Sequence, residues 1–280
     1  MSFRTIAAIP VALALAACSS PDEVSEELGV SQEDAGAQAV GAQGAATANA
    51  TATGGGASAV EEENDTYSFD YAYPAAAGAI PDLAAMLDRK REDARSALEE
   101  QAGDDRAQAE ANDYAYRPHS YSQEWKVVAD TPGFLSLSGE FATYSGGAHG
   151  MYGLESLVWD KLAGRAMDGV DMFRSAEALD DALGEKLCEA LDAQRAQRRG
   201  EPLPAGPGGD DFGFDSCQHV KDATVLVGSS NGRAFDRIGI WFGPYVAGPY
   251  AEGAYELNFP VDAAVLDAVK SEYRAAFAAR

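Results

Sequence analysis

Hydrophobic and polar positions first alternate regularly near residue 67. Residues 67–73 place an aromatic side chain at every second position, which predicts a strand with one buried face. A helix is predicted from Pro81 onward, because proline fits a first helical turn and Asp82 complements the helix dipole. The buried stripe of this helix consists of nonpolar residues at helical spacing: Leu83, Met86, Leu87, Ala94 and Leu98.

A predicted meander of three strands follows at residues 123–129, 135–144 and 152–159. Strand side chains alternate between two faces, so Trp125, Val127 and Ala129 are expected to point inward together. Strand, helix and meander together predict a small α+β lobe over residues 64–167.

The second half, residues 168–280, predicts another α+β lobe, so the predicted fold class is α+β with two lobes. Ser175 is expected to begin one long helix ending at Gly200. A leucine at every fourth position forms its stripe: Leu179, Leu183, Leu187 and Leu191. The basic residues near its end are interpreted as a helix-stop signal rather than an anion site: Arg195, Arg198 and Arg199.

Three further strands and a closing helix are predicted in this lobe. The strands lie at residues 223–227, 238–242 and 254–259. Asp262 is expected to cap the helix. The buried stripe of the helix comprises Val265, Leu266, Val269, Tyr273 and Phe277.

Residues 1–17 have the pattern of a secretory signal, with one arginine, a short apolar run and a small-residue end. The sequence Leu-Ala-Ala-Cys ending at Cys18 resembles a bacterial lipobox, which implies that this cysteine becomes a lipidated first residue. An ordinary signal peptide is the alternative. By the same resemblance, Ser19 implies the periplasmic side of the outer membrane. Residues 18–63 predict a disordered acidic linker rich in alanine and glycine.

A formal net charge of −24 over 280 residues predicts an acidic surface. Such a surface repels nucleic acid and attracts cationic partners at low salt, although simple solubility of a secreted protein also explains it. With Cys18 committed to lipid, Cys188 and Cys217 form an even pair in an oxidising compartment and predict a disulfide. A metal site from this pair is less favoured, because it lacks a Cys-x-x-Cys pattern.

Two irregular segments carry the candidate binding residues. Residues 144–150 contain three glycines, which predict positive φ or a close approach of the backbone. His149 in this segment could bind a metal or a ligand or titrate near neutrality, or its ring could hydrogen-bond the loop backbone and lock the seam between the two halves. Residues 243–253 could form an aromatic surface or simply pack as a loop. The candidates are Tyr144, Gly146, Gly147, His149, Tyr245, Pro249, Tyr250 and Gly253.

These two segments, with the closing helix that follows a proline, resemble a pair of domains in bacterial envelope proteins. The pair occurs in the ectodomain of the lysozyme-sensing anti-sigma factor, beside the catalytic domain of a peptidoglycan deacetylase, and in many lipoproteins of unknown function. The resemblance covers residues 64–280. It implies no deacetylase activity, because the relative keeps its catalytic residues in a separate domain.

The sequence presents no recognisable catalytic set, and no cofactor or metal is expected. Of the three histidines, His149 has no cysteine or second histidine at ligand spacing nearby, and His119 and His219 stay unassigned. No Gly-x-Ser-x-Gly or His-Glu-x-x-His motif is present. We therefore predict a non-catalytic, lipid-anchored binding module of the cell envelope. Resemblance and charge together suggest lysozyme, a basic protein, as its ligand. Peptidoglycan binding is the alternative; an envelope scaffold or a carboxylate or metal-dependent hydrolase is less favoured.

Overall fold

The structure is a computed structural model that describes residues 56–201 and 213–280. A six-stranded sheet contains β1 (Ser58–Glu63), β2 (Tyr67–Tyr73), β3 (His119–Asp130), β4 (Phe134–Tyr144), β5 (Met151–Asp160) and β6 (Arg165–Met167). The strands lie in chain order, and every pair is antiparallel except β2 and β3. With the second sheet described below, the α+β class is confirmed.

The parallel pairing of β2 and β3 depends on a helical connection. The connection comprises a short helix α1 (Ala75–Gly78) and the long helix α2 (Pro81–Ala111), which begins at proline as predicted. Leu83 and Leu87 of α2 are fully buried against the aromatic face of the sheet. No helix within residues 56–201 and 213–280 is long and apolar enough to cross a membrane.

The predicted linker extends too far along the chain, because residues 58–63 form strand β1. Its backbone pairs with β2 along its whole length, from Ser58 opposite Tyr73 to Glu63 opposite Ser68. The sequence hides this strand because three glutamates give it almost no nonpolar alternation, and edge strands are held mainly by backbone pairing. Residues 1–55, which contain the predicted signal, Cys18 and most of the predicted linker, lie outside the described residues.

The prediction that Trp125, Val127 and Ala129 point inward together is wrong. Trp125 and Ala129 are buried on different faces of the sheet, whereas Val127 is 42% exposed. The register between β3 and β4 shifts between Val127 and Ala129, which is the signature of a β-bulge. The shift turns Ala129 to the opposite face, while Val127 stays opposite Leu137 on the face of Trp125 and is exposed there.

A second core lies around a three-stranded antiparallel sheet. The sheet contains β7 (Thr224–Gly228), β8 (Arg237–Phe242) and β9 (Tyr255–Pro260), packed with α3 (Ala176–Leu183), α4 (Glu185–Arg199) and α5 (Ala263–Ala268). Ala129 and Val158 of the six-stranded sheet belong to this core as well. The predicted boundary between two lobes at residue 168 stays a prediction.

Two predicted helices are shorter than expected. Ser175 and Asp262 act as N-caps as predicted, accepting hydrogen bonds from the amides of Ala178 and Val265. The first helix breaks at Gly184, whose φ of 54° and ψ of −138° only glycine adopts readily. The last helix stops at Ala268, yet its whole predicted stripe is buried. Burial follows the hydrophobic pattern here, whereas the helical geometry does not.

The predicted disulfide between Cys188 and Cys217 is present, with a Cα–Cα distance of 5.2 Å. It links α4 to the segment that leads into β7. The bond closes a sequence separation of 29 residues, which predicts a contribution of about 3 kcal/mol to stability in the chain-entropy model.

Candidate functional site

The two irregular segments singled out in the sequence lie side by side. The glycine loop, residues 144–150, leads from β4 into β5, and the tyrosine loop, residues 243–253, connects β8 to β9. The rings of His149 and Tyr250 stack with centroids 4.1 Å apart. The Tyr250 hydroxyl donates a hydrogen bond of 2.8 Å to the Gly150 carbonyl, across 100 positions of sequence. The predicted candidates His149 and Tyr250 are thus direct neighbours.

Two more tyrosines extend this contact into a surface. The Tyr245 ring centroid lies 5.6 Å from that of Tyr250. Tyr152 of β5 meets Tyr250 edge to face at 6.2 Å, and its hydroxyl accepts a hydrogen bond from the Ala254 amide. We call Tyr152, Tyr245, Tyr250 and His149 the aromatic surface. The sequence does not single out Tyr152 as a site residue, because its position within a strand looks like ordinary packing.

Tyr245 is the most exposed member of the aromatic surface, with 49% of its area accessible. Its φ is +67°, a left-handed conformation that a side chain with a Cβ disfavours by about 1–2 kcal/mol. Bulky residues keep such a conformation only where the surrounding structure imposes it, and these positions concentrate at ligand-binding sites. An exposed aromatic ring held at a strained position is therefore a candidate for ligand contact.

The glycine loop has the backbone that its sequence predicts. Gly146 has a φ of +81°, and a Cβ on Gly150 would lie 2.7 Å from the Thr143 carbonyl oxygen. The Tyr144 hydroxyl donates to the Gly147 carbonyl at 3.0 Å, and Arg117 reaches both groups at 3.4 Å. The loop is therefore held by one hydrogen bond within it and by Arg117 from outside it.

His149 makes the backbone contact expected of a structural histidine while remaining exposed. Its Nδ1 lies 2.9 Å from the Gly150 carbonyl oxygen, so Nδ1 carries a proton that it donates. In the neutral ring Nε2 is then an acceptor, and it lies 3.4 Å from the Tyr245 hydroxyl. The ring both orients the glycine loop and contributes one face of the aromatic surface.

Arg195 positions the tyrosine loop, a role that the helix-stop interpretation does not predict. Its side chain is fully buried, and its guanidinium donates to the carbonyls of Ala247 and Ser216 and to the Asp192 carboxylate, each at 3.0 Å. A signal for this role exists, since Arg195 lies four residues after Leu191 and continues the buried leucine stripe. The helix-stop interpretation holds for Gly200, whose φ of +72° ends α4.

Arg199 and Arg198 fasten the far end of the same loop. Arg199 bridges the carboxylates of Glu252, at 2.8 Å, and Asp215. Arg198 donates to the Glu252 carbonyl and lies over the Tyr255 ring at 4.0 Å. Three arginines of one helix therefore fix the loop that presents Tyr245 and Tyr250.

The carboxylate of Glu252 is stabilised in its charged form by these contacts. Burial alone would raise its pKa, but hydrogen bonds from Arg199 and from the Tyr255 hydroxyl outweigh burial and hold the pKa below the ordinary 4.5. Burial, followed by the hydrogen bond to Glu252, raises the pKa of Tyr255 to about 12. Both groups therefore keep one protonation state at neutral pH.

Gly253 and Pro249 complete the tyrosine loop. Pro249 precedes the turn 250–252, and Gly253 follows it with a φ of +72°. A Cβ on Gly253 would lie 3.2 Å from the Tyr152 hydroxyl. Glycine is therefore required there both by conformation and by the close approach of the aromatic surface.

The other two histidines lie in contacts of their own. His119 is buried with its Nε2 3.3 Å from the Asp105 carboxylate, and His219 Nδ1 lies 2.7 Å from the Asp180 carboxylate. Within the described part of the chain, no group of three or more His, Cys, Asp or Glu side chains is arranged to hold a metal ion.

Comparison with known proteins confirms the resemblance expected from the sequence. Residues 60–152, which include α2 and the glycine loop, match the family model described as deacetylase PdaC. The match is to the domain associated with that deacetylase rather than to its catalytic domain. No curated protein matches the chain.

Two solved structures of the DUF3298 family are similar to the chain. One, from Bacteroides fragilis NCTC 9343, shares 18% identity over 77% of this chain and 92% of its own, with a TM-score of 0.45. The other, from Pseudomonas aeruginosa PAO1, shares 16% identity over 80% of this chain and 97% of its own, with a TM-score of 0.43.

Proposed function

We propose that this protein is a non-catalytic, lipid-anchored binding module of the cell envelope whose ligand contacts the aromatic surface. The observation that carries the proposal is Tyr245, an exposed ring held in a strained conformation beside the His149–Tyr250 stack. Tyrosines supply large contact area at a small entropic cost and are enriched in protein interfaces. A surface of this kind favours recognition of a macromolecule over chemistry on a small substrate.

The ligand we propose first is lysozyme, as a basic protein. The net charge of −24 would steer a basic protein toward this chain and raise its rate of association. The resemblance to the lysozyme-sensing ectodomain supports the same ligand. Opposite charges would speed the first encounter, and the aromatic surface would provide the specific contact that persists at physiological salt.

Calorimetric titration of the purified protein with a basic animal lysozyme tests this proposal at low and physiological salt. We expect micromolar or tighter affinity at both salt concentrations. Tyr250→Ala should weaken binding by about tenfold or more, since a central aromatic anchor contributes about 2 kcal/mol. Tyr245→Gly should weaken binding while preserving stability, because glycine adopts the native φ without strain.

The matched control is Tyr114→Ala, which removes a tyrosine that is 54% exposed in the connection between α2 and β3. It should leave the affinity unchanged. Binding that disappears at physiological salt would show only that opposite charges attract. Equal losses for Tyr114→Ala and Tyr250→Ala would likewise refute a role for the aromatic surface.

Peptidoglycan is the second candidate ligand, favoured by the adjacent rings of Tyr245 and Tyr250, whose planes differ by 35°. Sugar rings present apolar faces that pack on aromatic side chains. Cosedimentation with purified sacculi tests this candidate, with Tyr250→Ala as the variant. Absence of retention of the unmodified protein would eliminate it.

A further inference from the structure

A groove of about 610 Å³ lies on the face of the six-stranded sheet opposite α2. Side chains alternate along strands, so Tyr71 points toward α2 while Asp70 and Ala72 point into the groove. The same register brings Glu124 and Glu140 to the groove face from β3 and β4. This groove is distinct from the aromatic surface, although Tyr152 borders both.

The second sheet forms one apolar wall of the groove. The Thr224 hydroxyl donates a hydrogen bond of 2.8 Å to the Leu154 carbonyl, which attaches β7 to β5. Thr224, Trp241 and Glu256 pair across β7, β8 and β9 and share the face away from the second core. Leu226 and Trp241 consequently line the groove with nonpolar surface, and Glu256 adds a carboxylate.

Carboxylates line the sheet side of the groove in two cross-strand pairs. Glu124 lies opposite Glu140, and Lys126 bridges both, at 3.0 and 3.3 Å. Glu61 lies opposite Asp70, and among the described residues no lysine or arginine pairs with either. Like charges directly opposite on neighbouring strands are destabilising. One of the two pairs therefore lacks the cation that the other has.

The raised pKa of Asp70 is consistent with the absence of a neighbouring cation. Burial raises the pKa of its carboxyl group, and the nearby carboxylates of Glu61 and Glu63 raise it further. A cation bound beside Asp70 would lower this pKa. The groove thus combines an apolar wall with carboxylates that a positively charged ligand would stabilise.

We propose that the groove binds an extended cationic polypeptide segment, with an arginine against Glu61 and Asp70 and the neighbouring residues against Trp241. Adjacent strands are about 4.8 Å apart, so the planar fork of a guanidinium can reach carboxylates on both strands. Alternate side chains of an extended segment are about 6.8 Å apart, which lets successive basic residues follow the carboxylates across the sheet. The Trp241 face offers cation–π contact to a second basic side chain.

The probe for this proposal is a short peptide of alternating arginine and threonine, titrated against the full protein at physiological salt. The matched probe is the same peptide with citrulline at each arginine, which keeps the shape and removes the charge. The test variant is the double substitution Glu61→Gln with Asp70→Asn. Its control is Glu100→Gln with Asp104→Asn, the same change of charge at exposed positions of α2.

We expect the groove variant to weaken peptide binding by about tenfold or more, and the α2 variant by less than about twofold. Trp241→Leu should weaken binding by about threefold while keeping a nonpolar wall. Removing two like charges should not lower the thermal midpoint, so lost binding would not reflect unfolding. Tyr245→Gly should leave peptide binding unchanged, because Tyr245 neither lines the groove nor contacts Tyr152, and this result would separate the groove from the aromatic surface.

Four results would overturn the proposal. The first is no binding of the arginine peptide, and the second is equal binding of the citrulline peptide. The third is equal weakening by the groove and α2 variants, which would mean diffuse attraction to an acidic protein. The fourth is loss of peptide binding in Tyr245→Gly, which would place the peptide on the aromatic surface instead.

Discussion

Replacing Arg195 with methionine should destabilise the protein and loosen the tyrosine loop. The guanidinium is fully buried and donates to two backbone carbonyls, those of Ala247 and Ser216. Methionine fills part of the space but cannot donate, so the buried Ala247 carbonyl loses its partner, whereas the Ser216 carbonyl keeps a hydrogen bond of 3.3 Å from Gln218 Nε2. An unsatisfied buried acceptor costs about 1–3 kcal/mol. Loss of the ion pair with Asp192 adds little to this destabilisation, because the Asp192 side chain is 48% exposed and remains solvated.

We therefore expect Arg195→Met to lower the free energy of unfolding by about 2 kcal/mol, against the 5–15 kcal/mol typical of a domain. For a domain of this size, that loss lowers the thermal midpoint by about 5 °C. Urea denaturation followed by tryptophan fluorescence measures the effect. The midpoint should fall while the slope of free energy against urea stays unchanged.

Arg233→Met is the matched control, because Arg233 is exposed in the turn before β8. It should change the free energy of unfolding by less than about 0.5 kcal/mol. Equal midpoints for the two methionine variants would refute the reasoning, since they would show that the buried hydrogen bonds of Arg195 add nothing beyond packing.

Three further predictions concern the bonds and backbone positions that hold the second core. Substituting both Cys188 and Cys217 with alanine should lower the free energy of unfolding, measured in urea, by about 3 kcal/mol. Two free thiols in the unmodified protein, found by alkylation and mass measurement, would contradict the disulfide. The folded-state pKa of Glu252 is depressed, so its stabilisation is present above pH 4.5 and is lost as pH falls through the folded value. Glu252→Gln should accordingly flatten the acid limb of a stability-against-pH profile, and an unchanged limb would exclude this carboxylate. Gly184→Ala should destabilise the protein by about 1–2 kcal/mol, because Gly184 has a positive φ. Gly103→Ala, in open space on α2, should stabilise it by about 0.5–1 kcal/mol. Thermal melts that rank the two variants in the opposite order would contradict the backbone assignment.

Local patterns in the sequence predict much of the fold, and they fail where a distant contact decides the structure. The strand at 67–73 and the helix from Pro81 are recognisable because alternation and a proline at the first turn are local signals. The break at Gly184 is not, since the leucine spacing continues through it. Strand β1 is missed for a related reason, because only its pairing with β2 makes it a strand.

The candidate site shows the same limit more sharply. Glycine content correctly predicts a special backbone for residues 144–150. The stacking of His149 on Tyr250 joins two loops that belong to different sheets. No local pattern in the sequence around either residue predicts this contact. Arg195 could have been recognised from its place on the leucine stripe, but its partners are carbonyls of remote loops.

The contacts that bring the two loops together also bear on how they would bind. Arg195 ties α4 to the tyrosine loop, the Cys188–Cys217 bond ties α4 to the segment before β7, and the Tyr250 hydroxyl ties the tyrosine loop to the glycine loop. Irregular loops normally lose conformational freedom when a ligand orders them, and that loss weakens binding. Here hydrogen bonds and a disulfide within the folded chain already impose most of that order. The strain at Tyr245 has the same origin, because a mobile loop would relax to a favourable φ. The loops are therefore better understood as a preorganised surface than as flexible connections between strands.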